Sequence, residues 1–386
     1  MTNNIKLIKV PAGTACRAEI NTFVSKLNMT PLIKDRLTLV LMRYEYCREN
    51  KLNSYDYILE DINKKDFNSH LVGFIDGDGC MKTGKRLGPR KGIYRIVPNI
   101  IIKIIAKDYM YLNLIIREVF PFSKKKTYAN GGENTLTLSM SSKEDVKLIM
   151  DIIDENNGFL SQKRSRTYEN FKELVNYVNT TQYGISHDEI WLNKGMEIWS
   201  KELVLENRET KEKELDYINK NININKIMGF IEAEGSLVLH HNNTKNNIWI
   251  SFEITQNTEN DLILHGILNY INNLNDKSLV KENIELESKG IVYDKGKSRK
   301  NQLSRISITN NEYLYYKIIP MLLSTNMYTK MQINLVYFIL GVVICKDLKN
   351  IPECRELYLK IKESINTNTE KLLDLNEILL ILNKYL

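Results

Sequence analysis

The chain has 386 residues and a formal net charge of +7, a moderate basic excess that suits a polyanionic partner without identifying one. The length allows two or three domains with sizeable cores. Five cysteines, odd in number and without a C-x-x-C pair, argue against a disulfide scaffold or a zinc module, and the most apolar run, Leu335 to Cys345, is too short to span a bilayer.

Taken in order, residues 1–65 stand apart. Ile20 to Leu27 and Leu37 to Glu45 read as short helices broken near Pro31, with Tyr55 to Ile62 a third. From about Phe67 a helix is expected, carrying Leu71-Val72-Gly73-Phe74-Ile75-Asp76-Gly77-Asp78-Gly79. Leu71, Phe74 and Ile75 form one apolar face. Gly73 and Gly77 form a small face on which another backbone could lie closely. Gly79 reads as a C′ cap. Strands are expected at Cys80 to Lys85 and Ile93 to Ile105, the second interrupted at Pro98 as at an edge or bulge. A helix follows at Tyr109 to Val119. Strands at Lys124 to Ala129 and Thr135 to Met140 would flank a turn at Asn130-Gly131-Gly132-Glu133. Ser141 or Ser142 caps a helix to about Asn156, and another helix spans about Thr167 to Val178. Trp191 and Trp199 suggest one more packed helix, before a charged, polar stretch at 201–222 that reads as a linker.

The same order then recurs. Ile227-Met228-Gly229-Phe230-Ile231-Glu232-Ala233-Glu234-Gly235 matches the first motif as apolar, apolar, Gly, Phe, Ile, acid, small, acid, Gly. An internal duplication of this length means two copies of a whole domain. Strands at Ser236 to His241 and Ile248 to Gln256 flank Asn242-Asn243-Thr244-Lys245, and a helix covers Glu259 to Leu274. Strands at Leu279 to Glu287 and Gln302 to Thr309 enclose a basic loop with Lys289, Lys295, Lys297, Arg299 and Lys300. Helices at Glu312 to Leu322, Lys330 to Cys345 and Glu353 to Ile365 precede a helical tail. Tyr109, Tyr111, Tyr313, Tyr315, Tyr316, Tyr337 and Phe338 fall on helices and read as core.

The motif acids are badly placed for stability alone. Asp78 and Glu234 fall in the last turns of their helices, at the negative end of the helix dipole. Packing the two small faces together would bring the carboxylates near each other, which a hard divalent cation would relieve. Asp76 and Glu232 point elsewhere and read as structural, capping or pairing with Lys or Arg.

Both motifs resemble the signature of the LAGLIDADG homing endonucleases and their intron-maturase relatives, over roughly 66–366. The departures are Glu in the second copy and Cys80 after Gly79, where a small hydroxyl residue is common. The resemblance implies an α+β fold of two pseudo-symmetric αββαββα repeats, each a curved antiparallel sheet covered by helices, joined at the paired motif helices. The expected division is 1–65 as a helical extension, 66–200 as the first repeat, 201–222 as linker and 223–386 as the second repeat with C-terminal helices. The resemblance implies hydrolysis of both strands of a long, pseudo-palindromic DNA site by a monomer, leaving short 3′ overhangs and promoting intron mobility. It maps the catalytic acids onto Asp78 and Glu234, holding Mg²⁺ or Mn²⁺, with carbonyl ligands at Gly77 and Ala233 and basic residues at Lys163 and Lys330. Alternate strand residues would face the DNA: Lys82, Lys85, Arg86, Arg90, Lys91, Arg95, Lys103 and Lys124 to Lys126 in the first repeat. In the second they are His240, Asn242, Lys245, Glu253, Gln256, Lys281, Arg299, Gln302 and Arg305. The alternatives are an RNA-binding maturase assisting a group I intron, or a catalytically silent nucleic-acid binder. No membrane partner is expected. A bias to Asn, Ile, Lys and Tyr follows AT-rich coding and, with no transit segment at the N-terminus, points to synthesis inside a mitochondrion or chloroplast.

Overall fold

The computed structural model describes residues 16–49, 62–87, 93–121, 129–132, 134–180, 187–202, 205, 208–281, 291–294, 303–366 and 372–386. They fall into two compact units, one of residues 64–233 and 259–266, the other of residues up to 63, 234–258 and 267–386.

Each unit holds one four-stranded antiparallel sheet. In the first, β1 (Gly79–Leu87), β2 (Tyr94–Ile105), β3 (Ala129–Gly132) and β4 (Thr135–Met140) lie in the order β1-β2-β4-β3. Met81, Ile100, Ile102, Leu138 and Met140 fall on one face by strand alternation, and all five are buried. Helix α3 (Lys64–Asp78), α5 (Lys143–Glu155), α6 (Gln162–Thr180) and α7 (Glu189–Ser200) pack on this sheet. A second layer of core, Ile96, Leu174, Val178 and Leu192 with Trp191 and Trp199 partly buried around it, seats α7. Helix α4 (Tyr109–Val119) adds the fully buried Tyr111, whose ring meets those of Phe67 and Phe74 edge-on.

In the second unit, β5 (Gly235–Asn242), β6 (Asn247–Asn257), β7 (Ile291–Asp294) and β8 (Leu303–Ile308) repeat the order as β5-β6-β8-β7. Helix α13 (Met331–Val343), continued by a π-turn at Ile344–Leu348, lies against β5 and β6. A methyl group on Gly341 would stand 3.1 Å from both Ile250 Cδ1 and Leu239 Cδ2, so glycine there sets the helix–sheet distance. The run Met331–Leu348 is apolar and long enough by itself to cross a membrane, yet most of it is buried in this core. Helix α1 (Arg17–Lys26) packs on α15 (Leu375–Tyr385), and α2 (Pro31–Glu49) on α13. The Tyr44 and Tyr337 hydroxyls bond at 2.8 Å. Residues 17–49 therefore belong to the hydrophobic core of this unit.

Several expected boundaries move. The break expected near Pro31 falls at residues 27–30, and α2 starts earlier than expected, on Pro31 itself, because a helix's first position needs no N–H. Pro98 sits within β2, paired with Thr83 of β1, at a level where the β4 ladder has not yet begun, so its missing donor faces no strand. Asn130 and Gly132 lie in β3, across a bulge, and the turn falls later. Helix α6 begins at Gln162, five residues before the expected start. The expected linker contains α8 (Lys211–Asn221), capped by Thr210. Leu279, the first residue of the strand expected at Leu279 to Glu287, lies in a turn, residues 282–287 of that strand lie outside the described residues, and β7 stands at Ile291–Asp294. Gly79 and Gly235 are the first residues of strands, and neither has a positive φ. Gly79 is required for a different reason: a Cβ would lie 2.5 Å from Ile75 Cγ2 and 2.6 Å from Ile75 O. The helix expected at Tyr55 to Ile62, the strand at Lys124 and the loop lysines from Lys289 to Lys300 lie outside the described residues.

Candidate functional site

The first glycine of each small face, Gly73 and Gly229, lies directly against the backbone of the other motif helix. A Cβ on Gly73 would stand 2.0 Å from the Lys226 carbonyl oxygen, and one on Gly229 1.9 Å from that of His70. Lys226 and His70 occupy the same place in the two motifs, directly before the apolar pair. Helix α3 and helix α9 (Ile224–Glu234) are thus held by two reciprocal glycine-to-carbonyl contacts, at a separation no side chain permits.

The first acid of each motif is inward and structural. Asp76 accepts hydrogen bonds from the Leu160 and Ser161 amides at 2.7 and 3.0 Å and from Ser161 Oγ at 2.5 Å. It therefore satisfies the orphan donors at the start of α6 and places a negative charge at that helix's positive end. Glu232 is buried opposite His70, with 3.4 Å between Oε1 and Nε2, and His70 Nδ1 lies 3.2 Å from the Tyr111 hydroxyl. The capping expected for one of these acids holds for Asp76, and Glu232 faces His70. Lys226, fully buried, donates to the carbonyls of Asn156, Gly158 and Asn221 at 2.7–3.2 Å. Burial pushes its ammonium down to about 8, with Asp76 opposing the shift.

The second acid of each motif is the last residue of its helix. Asp78 opens to solvent, yet the protein around it displaces enough water that burial pushes its carboxyl up to about 6. Arg164 opposes that shift. The Arg164 guanidinium also donates to the Gly77 carbonyl at 3.1 Å and the Asp76 carbonyl at 3.3 Å, satisfying the free carbonyls that end α3. An acid held against both burial and a helix C-terminus is a hard oxygen donor that a divalent cation would favour. Ala233 and Glu234 are half-buried at the end of α9. Lys163 is exposed in the first turn of α6, and Lys330, also exposed, immediately precedes α13. Among the described residues no group of three or more His, Cys, Asp or Glu forms a metal cluster.

The sheets sort the remaining candidates by face. Cross-strand register places Lys82, Arg86, Arg95 and Lys103 on the face of the first sheet away from its helices, with Asn99 accepting from Ser139 Oγ at 3.0 Å. Arg86 and Arg95 stand across from each other in the register, a like-charge pairing that suits a polyanion. Lys85 lies on the opposite face, its ammonium 4.4 Å from the Tyr94 ring centroid. In the second sheet His240, Asn242, Glu253 and Arg305 share the open face. Gln256 belongs to the helix-covered face, and Lys245 to the β5–β6 turn, where its amide bonds Asn242 Oδ1 at 3.0 Å. Lys281 stands off the sheet, bonded to Asn28. Arg90, Lys91, Lys124, Lys126, Arg299 and Gln302 lie outside the described residues.

Two arginines escape the sequence reading. Arg164 is adjacent to Lys163, and only the true start of α6 turns it toward the α3 C-terminus. Arg208 comes from the expected linker and is fully buried. It pairs with Glu214 at 2.5 Å and donates to Ser165 Oγ at 2.6 Å and the Leu160 carbonyl at 2.5 Å. It clamps the turn that bears Ser161 and Arg164. Its signal in the sequence was one arginine among charged neighbours.

Comparison with known proteins identifies the family and the fold. The chain is 28% identical over 206 residues to the probable intron-encoded endonuclease Cox1-I1b of Schizosaccharomyces pombe, spanning 52% of this chain and 48% of that one, so it matches about half the relative's length. The fold is that of the LAGLIDADG homing endonuclease I-GzeII in complex with its DNA target (TM-score 0.60, 18% identity, 81% of this chain and 100% of that one). It is similarly that of I-SmaMI bound to an uncleaved DNA target in the presence of calcium ions (TM-score 0.59, 16% identity, 80% and 100%). The family profile described as LAGLIDADG endonuclease matches residues 71–175 and 227–342, one stretch for each motif and its sheet and together more than half of the sequence, so the chain belongs to the LAGLIDADG endonuclease family.

Proposed function

We propose that the chain is a monomeric, Mg²⁺-dependent endonuclease that cuts both strands of a long, imperfectly palindromic DNA site. The observation that carries this reading is the motif pair. Two helices are locked glycine to carbonyl, and each ends on an acid that its own helix does not stabilise, Asp78 and Glu234. Those acids would hold the metal, with the carbonyls of Gly77 and Ala233 as further oxygen donors. The metal supplies an activated water and charge neutralisation at the phosphate when bound. Arg164 anchors the carbonyl end of α3 and so fixes the bearing of Asp78. Lys163 and Lys330 would contact backbone phosphates. The open sheet faces supply cations for the duplex and polar groups for its base edges. Solved relatives of the same fold are described as bound to DNA targets, and one of them with calcium. An intron-encoded relative and the Asn-, Ile- and Lys-rich composition support an origin in a mitochondrial intron.

The test compares wild type with Asp78→Asn and Glu234→Gln on the uninterrupted host gene in Mg²⁺. Each variant is expected to lose cleavage by more than about a hundredfold, the scale of one electrostatic stabiliser, while retaining DNA binding in a mobility-shift assay. Undiminished cutting by both variants would remove the metal assignment. Failure of wild type to cut any candidate site, with tight binding to the intron RNA, would replace the nuclease with a maturase.

A further inference from the structure

We infer that Arg305 reads a guanine in the target, and that Glu253 holds it in position to do so. The inference rests on the DNA-endonuclease reading above and assigns one residue and one base within it.

The direction of the two side chains is fixed by their neighbours. Phe252, Ile254, Ile306 and Ile308 are buried on the helix-covered face of β6 and β8. Strand alternation therefore sends Glu253 and Arg305 to the open face, Glu253 across from Ser307 and Arg305 across from Thr255. Neither can reach the other face without a register slip.

Glu253 is committed to the protein. Its Oε1 accepts from Ser251 Oγ at 2.9 Å and Ser307 Oγ at 3.4 Å, and its Oε2 from Arg305 Nη1 at 3.4 Å. Ser251 Oγ is in turn 2.7 Å from His240 Nε2, and the His240 ring stacks on Trp249 at 4.8 Å between centroids. Only 15% of the Glu253 side chain remains exposed, against 36% for Arg305. The carboxylate is thus a fixed brace.

Arg305 has donors to spare. A guanidinium offers five N–H groups in a planar fork. Among the described residues one terminal nitrogen meets Glu253, and Nε, closed off from water, has no partner. A braced fork with unused terminal donors matches the O6 and N7 acceptors that guanine alone presents side by side in the major groove. A phosphate contact fits less well. β8 is an interior strand and Arg305 lies in its middle, where a sheet laid in the groove meets base edges rather than backbone. The adjacent carboxylate also cancels the charge a phosphate would seek.

The experiment presents the full-length chain, in Ca²⁺, with a pool of duplexes randomised over the site length, and sequences what is bound. Wild type is expected to select a consensus containing a guanine favoured about ten- to a hundredfold. Arg305→Lys keeps the charge but loses the fork. It should retain the other consensus positions and weaken preference at that single guanine. Glu253→Ala should weaken the same position and no other. An Arg305→Lys consensus identical to wild type overturns the inference, as does a uniform weakening at all positions, which would mark a phosphate or folding role. Absence of any wild-type consensus overturns the DNA-reading function itself.

Discussion

At the scale of single residues, this protein spends stability on charges it does not solvate. Lys226 is the clearest. The motif predicts an apolar stretch beginning at Ile227, and nothing in the sequence distinguishes the lysine before it from a surface one. Only the folded chain shows three carbonyls gathered on its ammonium. Its folded pKa of about 8 is below the ordinary 10.5. Between those two values the native chain holds fewer protons than the unfolded one, so this site's contribution makes stability rise with pH across that window and stay at its lower level below about 8. Lys226→Met removes the titration but leaves three buried acceptors without a donor, which should destabilise the protein by about 2–3 kcal/mol near pH 7. The deficit of the variant relative to wild type should then grow in urea melts between pH 8 and pH 10. A deficit that shrinks with pH would mean that the ammonium is not buried as described.

At the scale of elements, the repeated motif was readable because packing geometry leaves a mark on composition. Two helices can approach backbone to backbone only through glycine, and Gly73 and Gly229 recur at matching positions for that reason. Strand alternation was equally legible in β2 and β6, where every second residue must be apolar to bury one face. What was not legible was set by contacts distant in sequence. The start of α6 depends on Asp76, some 85 residues earlier, capping Leu160 and Ser161. The capped turn also depends on Arg208, from a segment that reads as linker. The glycine contact gives a direct prediction. Gly73→Ala must move a helix backbone that approaches a would-be Cβ to 2.0 Å, and should cost about 3 kcal/mol or more. Gly84→Ala, whose nearest neighbour would stand at 3.7 Å, should change stability by less than about 1 kcal/mol. Thermal melts of the two variants decide it. Equal losses would show that glycine at position 73 answers to something other than helix approach.

At the scale of the whole molecule, the two sheets share a topology, while their described open faces differ in charge. The open face of the first carries Lys82, Arg86, Arg95 and Lys103, with the two arginines across from each other in the register. The described open face of the second offers Arg305 already braced by Glu253, beside a histidine that burial holds below its ordinary pKa. Among the described residues the duplication therefore kept the scaffold while the two open faces diverged, four cations on the first and Arg305 beside Glu253 and His240 on the second. Counterion release makes this measurable, since each phosphate contact contributes a slope of about −0.9 to log K against log salt. Replacing Lys82, Arg86, Arg95 and Lys103 together with Gln should flatten the salt dependence of DNA binding by up to about 3–4 in slope. Arg305→Lys should leave the slope within about one of wild type. Salt titrations by fluorescence anisotropy on one DNA duplex separate the cases. A quadruple variant with an unchanged slope would place the phosphate contacts elsewhere and leave the paired Arg86 and Arg95 without an electrostatic purpose, whereas a large slope change from Arg305→Lys would move that residue from base to backbone.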